Sequence, residues 1–212
     1  MKVKIFGERH TGTNAMRMLV GENFHINVPN HGPLGWKHRR APKKRELDKH
    51  NMDEMLVIML VRNPYTWMDA MWRDPYNFHD QNCHKCPYEE FIRKPFEDYE
   101  NLPSTWSEKN HSYFELRREV PNGIIMRMED LAHRPEIVYE TLQEWLEPKT
   151  EKVVVPKYCN GRHTEYKPHA KVREIKRNIA VPEDIHDFAD AYIDSFLMAV
   201  FDYPTNRARV SV

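Results

Sequence analysis

Cysteine is scarce in this chain of 212 residues. There are three, too few and too odd a number for a disulfide framework, which points to a reducing compartment. Charge of one sign is not in excess either: lysine plus arginine number 32, and aspartate plus glutamate also 32. No global field therefore draws the protein toward nucleic acid or a membrane surface, and basic clusters must be judged locally. Long hydrophobic runs are missing too, the longest (Met55 to Val61) suiting a buried strand rather than a membrane span. No internal repeat or low-complexity segment is visible. A strand beginning at the third residue leaves no room for a signal or transit peptide, so a soluble cytoplasmic protein is expected. The length suits one α/β domain with a sizeable core; two full domains would be cramped.

Glycine is rare as well, at seven, and two of them bracket the stretch that organises the chain. Lys2 to Phe6 alternates polar and apolar residues, with β-branched Val3 and Ile5, as a strand would. Gly7 and Gly12 then enclose four residues, and Ala15, Met16, Leu19 and Val20 recur at helical spacing. A strand, a glycine-bounded loop and a helix start aim backbone N–H groups and the positive helix end at one point, an anion site. The spacing approaches the phosphate loop G-x-x-x-x-G-K-[ST], but Thr13 stands where the lysine should be and Asn14 follows. Mg-nucleoside-triphosphate chemistry needs that lysine, so phosphate binding is retained as an expectation and kinase chemistry is disfavoured. Arg9 and His10 bring positive charge from inside the loop. The plain alternative is an ordinary turn before a helix.

Further along, Phe24 to Val28 alternates like a second strand and stops at Pro29. Trp36-Lys37-His38 follows a turn-rich stretch, placing an aromatic beside two titratable donors, and leads into a basic run from Arg39 to Arg45 that reads as a solvated loop. Met55 to Val61 has the continuous apolar character of a central parallel strand. Arg62-Asn63-Pro64 ends it, Pro64 suiting the first turn of a helix that carries Trp67, Met68, Met71 and Trp72 as core. A charged residue at the carboxyl end of such a strand lies where open α/β sheets bind ligands, which singles out Arg62. The stretch 74–109 reads as a lid or acceptor-side excursion with a short helix from Tyr88 to Arg93. Helices are expected at Ser107 to Val120, after Glu129-Asp130, and at Pro182 to Val200; strands at Gly123 to Met128 and Val153 to Val155. The alternation implies a single α/β domain over 1–212 with a mostly parallel sheet.

Three of these segments, in order, resemble the signatures of the sulfotransferase superfamily: His10-Thr11-Gly12-Thr13-Asn14, the strand ending in Arg62-Asn63-Pro64, and Ile124 to Leu131 with its Met128-Glu129-Asp130-Leu131. Pro87 to Pro95 is similar to a connecting segment of some members, and together the matches span most of Val3 to Leu146. The resemblance implies a three-layer, P-loop-like α/β/α fold and a donor, 3′-phosphoadenosine 5′-phosphosulfate, with 3′-phosphoadenosine 5′-phosphate as product and no metal. Thr11, Gly12, Thr13 and Asn14 would cradle the 5′-phosphosulfate, with Arg9 and His10 beside them, and Arg62 would hold the 3′-phosphate. Two positions depart from the pattern. His10 stands where most members carry lysine or arginine, so its charge depends on pH. Ala70 stands where a serine on the 3′-phosphate is usual; Arg73, Arg162 and Lys167 are the candidates to replace that contact, and Asn160-Gly161-Arg162 the remnant of a glycine-rich nucleotide motif.

The mechanism so implied is in-line transfer to an acceptor hydroxyl or amine, with positioning and charge stabilisation supplying the rate. His38 is the candidate general base, ahead of Glu8, which more naturally bonds locally, and Lys37 the group polarising the leaving phosphate or sulfonyl oxygens. The acceptor is expected to be a small molecule or glycan, with aromatics Tyr76, Phe78, Tyr88, Phe96, Tyr99 and Trp106 either stacking on it or closing a core. The alternatives are a nucleotide-binding protein of this fold that has lost catalysis and, less favoured, a small-molecule kinase. Cys83-His84-Lys85-Cys86, with His79 nearby, has zinc-ligand types at suggestive spacing, but no second such pair accompanies it, and free thiols are the expectation.

Overall fold

The computed structural model describes residues 1–29, 32–75, 86–156 and 183–204. They fall into two compact units, one from Met1–Val61 and the described part of Tyr113–Ile175, the other from Arg62–Ser112 and the described part of Lys176–Val212.

The first unit is built on a parallel sheet of three strands in the order β1 (Lys2–Gly7), β2 (Met55–Val61), β3 (Gly123–Arg127). Ile5 pairs with Ile58 and Ile58 with Ile124, fixing the register across the sheet. Every residue of β2 is buried, as a run with no polar residue on either face requires. Its alternate residues enter two separate clusters. Leu56, Ile58 and Leu60 pack with Met16, Leu19 and Val20 of α1 (Thr13–Asn23), Leu131 of α6 (Met128–His133), and Val138 and Leu142 of α7 (Pro135–Gln143). Met55, Val57 and Met59 pack with Phe6, Leu34 and Leu47, and with Tyr113, Leu116 and Val120 from the end of α5 (Leu102–Glu119). Leu47 comes from a single turn, α2 (Lys44–Leu47), in the basic run, where the Arg39 guanidinium meets the Glu46 carboxylate at 2.9 Å.

The second unit is helical: α3 (Pro64–Arg73), α4 (Tyr88–Arg93), the first part of α5, α8 (Glu183–Tyr192) and α9 (Ser195–Val200). Asn63 caps α3, its side-chain oxygen accepting from the N–H groups of Tyr65 at 3.1 Å and Thr66 at 3.3 Å, with Pro64 in the first turn. Trp67, Met68 and Met71 are buried, while Trp72 is exposed. The Arg93 guanidinium lies 4.0 Å from the Phe188 ring centre, tying α4 to α8.

Five expectations are corrected. Phe24 to Val28 is not a strand: only Phe24 makes a bridge, antiparallel to Pro148, and Phe24 and Val28 reach the core from irregular backbone. Val153 to Val155 is not one either; Asn23 holds both the N–H and the C=O of Val154, so one side chain takes the place of a strand partner. The helix expected after Glu129-Asp130 is two, α6 and α7. Pro135 opens α7 and cannot continue α6, and the two carboxylates lie in the first turn of α6 rather than at its cap. The closing helix is also two, because Asp194 caps α9 through the N–H groups of Phe196 and Leu197. α5 starts earlier than expected, at Leu102, where Asn101 accepts from Ser104 N–H at 2.8 Å.

Candidate functional site

The glycines around the loop are fixed by geometry. Gly12 has φ +83°, which strains any residue with a Cβ, and a Cβ there would sit 2.3 Å from the Met128 sulfur, forcing that side chain to move. At Gly7 a Cβ would lie 2.5 Å from the Thr11 hydroxyl and 2.9 Å from the Leu60 carbonyl oxygen. His10 adopts a left-handed backbone, φ 63°, unusual for a residue with a Cβ.

Part of the loop's polar capacity is spent inside it. Glu8, buried, accepts the Arg9 N–H at 2.7 Å on its carboxylate. Its carbonyl accepts from the Thr11 N–H at 3.2 Å and the Thr11 hydroxyl at 2.6 Å. Thr11 therefore closes the turn with both its hydrogens, and its hydroxyl proton is not directed at a ligand. Arg9 is buried too, with its guanidinium 3.8 Å from the Glu8 carboxylate and 5.1 Å from the Trp36 ring centre. At the other end of the loop, no side chain caps α1, because its cap residue is Gly12. The first helical turn at Thr13 and Asn14 thus carries the anion-attracting character of the site.

Lys37 and His38, distant in sequence, are brought to this loop. Lys37 C=O accepts the Gly7 N–H at 3.0 Å, and its ammonium donates to the Asn14 side-chain oxygen. His38 Nδ1 lies 2.6 Å from the Gly7 carbonyl oxygen. A carbonyl can only accept, so Nδ1 carries a proton, and in the neutral ring that tautomer makes Nε2 the basic nitrogen. The Trp36 ring stands edge-on to the His38 ring at 5.1 Å and holds its orientation.

Two cations not singled out in the sequence join them. Lys4 is buried, donates to the Gly35 carbonyl and lies 4.9 Å over the Phe6 ring. Arg17 follows Thr13 by one helical turn, so both side chains share a face of α1. Lys4, Arg17 and Lys37 line one shallow cleft with Thr13, Val28 and Pro29, partly open to solvent and enclosing only about 10 Å³. Burial, with Arg17 nearby, pushes the Lys37 ammonium down from its ordinary 10.5 to about 8. Lys4 is pushed down to about 8 by burial first, then by Arg39 and Lys37. Both shifts record charge held away from water beside charge of the same sign. The Thr13–Arg17 spacing and the lysine in the alternating first strand were the available signals.

Arg62, in the second unit, directly follows β2 in the chain. Its Nε donates to the Thr66 hydroxyl at 3.1 Å and its carbonyl accepts from the Trp106 indole at 2.8 Å. Arg73, the nearest candidate to replace the serine absent at Ala70, is exposed and paired with Asp69 one turn back. Phe96, Tyr99 and Trp106 are buried, closing a core instead of presenting faces to a ligand. Tyr76, Phe78, Arg162, Lys167, the Asn160-Gly161-Arg162 segment and the zinc question at His79 and Cys83 to Lys85 lie outside the described residues. Cys86 is described, half-buried, and in no disulfide among the described residues. Among the described residues no cluster of three metal-ligating side chains occurs, and no helix is long and apolar enough to cross a membrane.

Comparison with protein-family models, with curated proteins and with solved structures finds no match for this chain.

Proposed function

We propose that the protein is a sulfotransferase of P-loop-like α/β/α fold, moving a sulfuryl group from 3′-phosphoadenosine 5′-phosphosulfate to a hydroxyl or amine of a small molecule or glycan. The observation that carries this reading is the docking of Lys37 and His38 onto the glycine-bounded loop, through Asn14 and Gly7. A turn that merely joined a strand to a helix would have no need of a partly desolvated ammonium and an oriented imidazole.

In this reading the first turn of α1, with Thr13, Asn14 and the loop at His10, receives the phosphosulfate, and Arg62 receives the 3′-phosphate. The acceptor oxygen or nitrogen attacks sulfur, the new bond forming as the sulfur–oxygen bond to the 5′-phosphate breaks. His38 Nε2 takes the acceptor proton, and the nucleotide leaves with the bond's electron pair. Lys37 offsets the negative charge that grows on the bridging oxygen, with His10 or Arg9 adding to it. The three cysteines fit a reducing, cytoplasmic setting.

The rival reading, a nucleotide-binding protein without catalysis, draws on His10 and Ala70. Calorimetry with 3′-phosphoadenosine 5′-phosphate followed by transfer of labelled sulfuryl across an acceptor panel separates the two. We expect His38→Ala to lower kcat by ~10²-fold or more with nucleotide affinity kept, and Arg62→Ala to weaken nucleotide binding by about tenfold or more. Nucleotide binding without transfer to any acceptor selects the rival; no nucleotide binding rejects both.

A further inference from the structure

The cleft beside α1 shares Thr13 and Lys37 with the place where the phosphosulfate reading puts the donor, and extends away from it. Its wall is formed by the flank of α1 at Thr13 and Arg17, by Lys4, and by Val28 and Pro29, whereas loop residues 8–12 do not line it. Lys37 borders both places, bonded to Asn14 and facing the cleft. Among the described residues no carboxylate lines this cleft, and none pairs with Lys4, Arg17 or Lys37. Lys4 is 5% exposed, its ammonium held by a neutral carbonyl and the Phe6 ring face, with no opposite charge among those residues. Arg17 Nε is buried and has no hydrogen-bond partner, although a guanidinium N–H withdrawn from water normally finds an acceptor. Three converging cations and an unused donor describe a site missing its anion. The enclosed space, about 10 Å³, suits a single charged group reaching in from the mouth and not a whole ring.

We propose that this cleft is a second oxyanion site, binding a carboxylate or sulfate ester carried by the acceptor. The acceptor is then an acidic molecule, a sugar acid or an already sulfated ring, whose charge is gripped by Arg17 and Lys4 while its nucleophile is presented at Lys37 and His38. The ligand's role as acceptor rests on the transferase reading; the existence of the anion site does not.

The test uses the full chain labelled with ¹⁵N, saturated with 3′-phosphoadenosine 5′-phosphate, and titrated with D-glucuronate, inorganic sulfate and, as neutral control, D-glucose. Glucuronate and sulfate should shift the Arg17 Nε–H and Thr13 amide resonances, and glucose should not. Arg17→Gln should weaken glucuronate binding about tenfold, and Arg17→Lys should restore part of the loss. Binding that is unchanged in Arg17→Gln overturns the proposal. So does competition between glucuronate and the nucleotide for one site, or the absence of any shift. Should the nucleotide not bind while glucuronate still binds through Arg17, the oxyanion site stands and the transferase reading falls.

Discussion

Lys109, in α5, is buried and Lys37, at the glycine-bounded loop, half-buried, and the protein compensates them differently. Lys109 is 2% exposed, its ammonium 2.9 Å from the Glu97 carboxylate and 5.7 Å from the Tyr99 ring centre. Lys37 has the neutral Asn14 oxygen, and its neighbours across the cleft are Lys4 and Arg17. The first arrangement is what a fold requires of a buried cation: an opposite charge at bonding distance. The second leaves repulsion and desolvation unrelieved, which lowers stability unless a ligand supplies the missing charge. Charge matched within the chain marks structure, and charge left unmatched marks the place where a partner is expected.

The sharpest way to break this contrast is to remove each half. Lys37→Met should lower sulfuryl transfer by ~10²–10³-fold, the scale of losing a group that stabilises transition-state charge. The same variant should leave the melting temperature unchanged or raise it, because a desolvated cation is gone. Glu97→Gln should do the reverse, costing about 3 kcal/mol in urea unfolding by stranding Lys109, with the loop's chemistry untouched. A Lys37→Met protein destabilised as much as Glu97→Gln would show that Lys37 is a structural charge, and the contrast would be lost. Asn63→Ala gives the scale of an ordinary defect in the second unit: loss of the α3 cap should cost about 1 kcal/mol by the same measurement.

The parts of the fold legible in the sequence are those in which one local rule decides. β2 follows from an uninterrupted apolar run, and α4 (Tyr88–Arg93) and α3 follow from prolines at their starts. Phe24 to Val28 misled because alternation reports only that every second residue is buried. Here Phe24 and Val28 are buried without a partner strand, a tertiary fact. The divided helices show the opposite lesson. Pro135 and Asp194 carried their break signals openly, but apolar spacing continues across both, and periodicity alone cannot register a cap. At the candidate site, Lys37 and His38 were legible because an aromatic and two titratable groups stand together. Lys4 and Arg17 were not, since a lysine in an alternating strand and an arginine on a helix look like solvent-facing residues until the cleft assembles. Spacing also cannot show that the Thr11 hydroxyl proton is used on the Glu8 carbonyl, a fact of the folded loop.

An effect of similar size to the lost cap is also the most direct reading of the unmatched charge. Lys4 and Lys37 have folded pKa values of about 8 against an ordinary 10.5. Below pH 8 both states hold these protons, so stability does not change with pH on their account. Between about 8 and 10 the folded protein has released protons that the unfolded chain still binds, and the free energy of unfolding rises with pH. Above 10 the slope turns down. Burial raises the Tyr88 pKa and a hydrogen bond to Glu100 raises that of Tyr192, so there the folded state keeps protons that the unfolded chain has lost. Urea midpoints at pH 7, 8, 9 and 10 should therefore rise across the last three, by an amount on the order of 1–2 kcal/mol once solvent screening is allowed for. Lys37→Met should flatten part of that rise and Lys4→Met another part, whereas Glu97→Gln should lower the whole curve without changing its slope. A wild-type profile that is flat or falls between pH 8 and 10 would mean that the cleft cations are already satisfied, and the distinction between the two lysines would have no energetic basis.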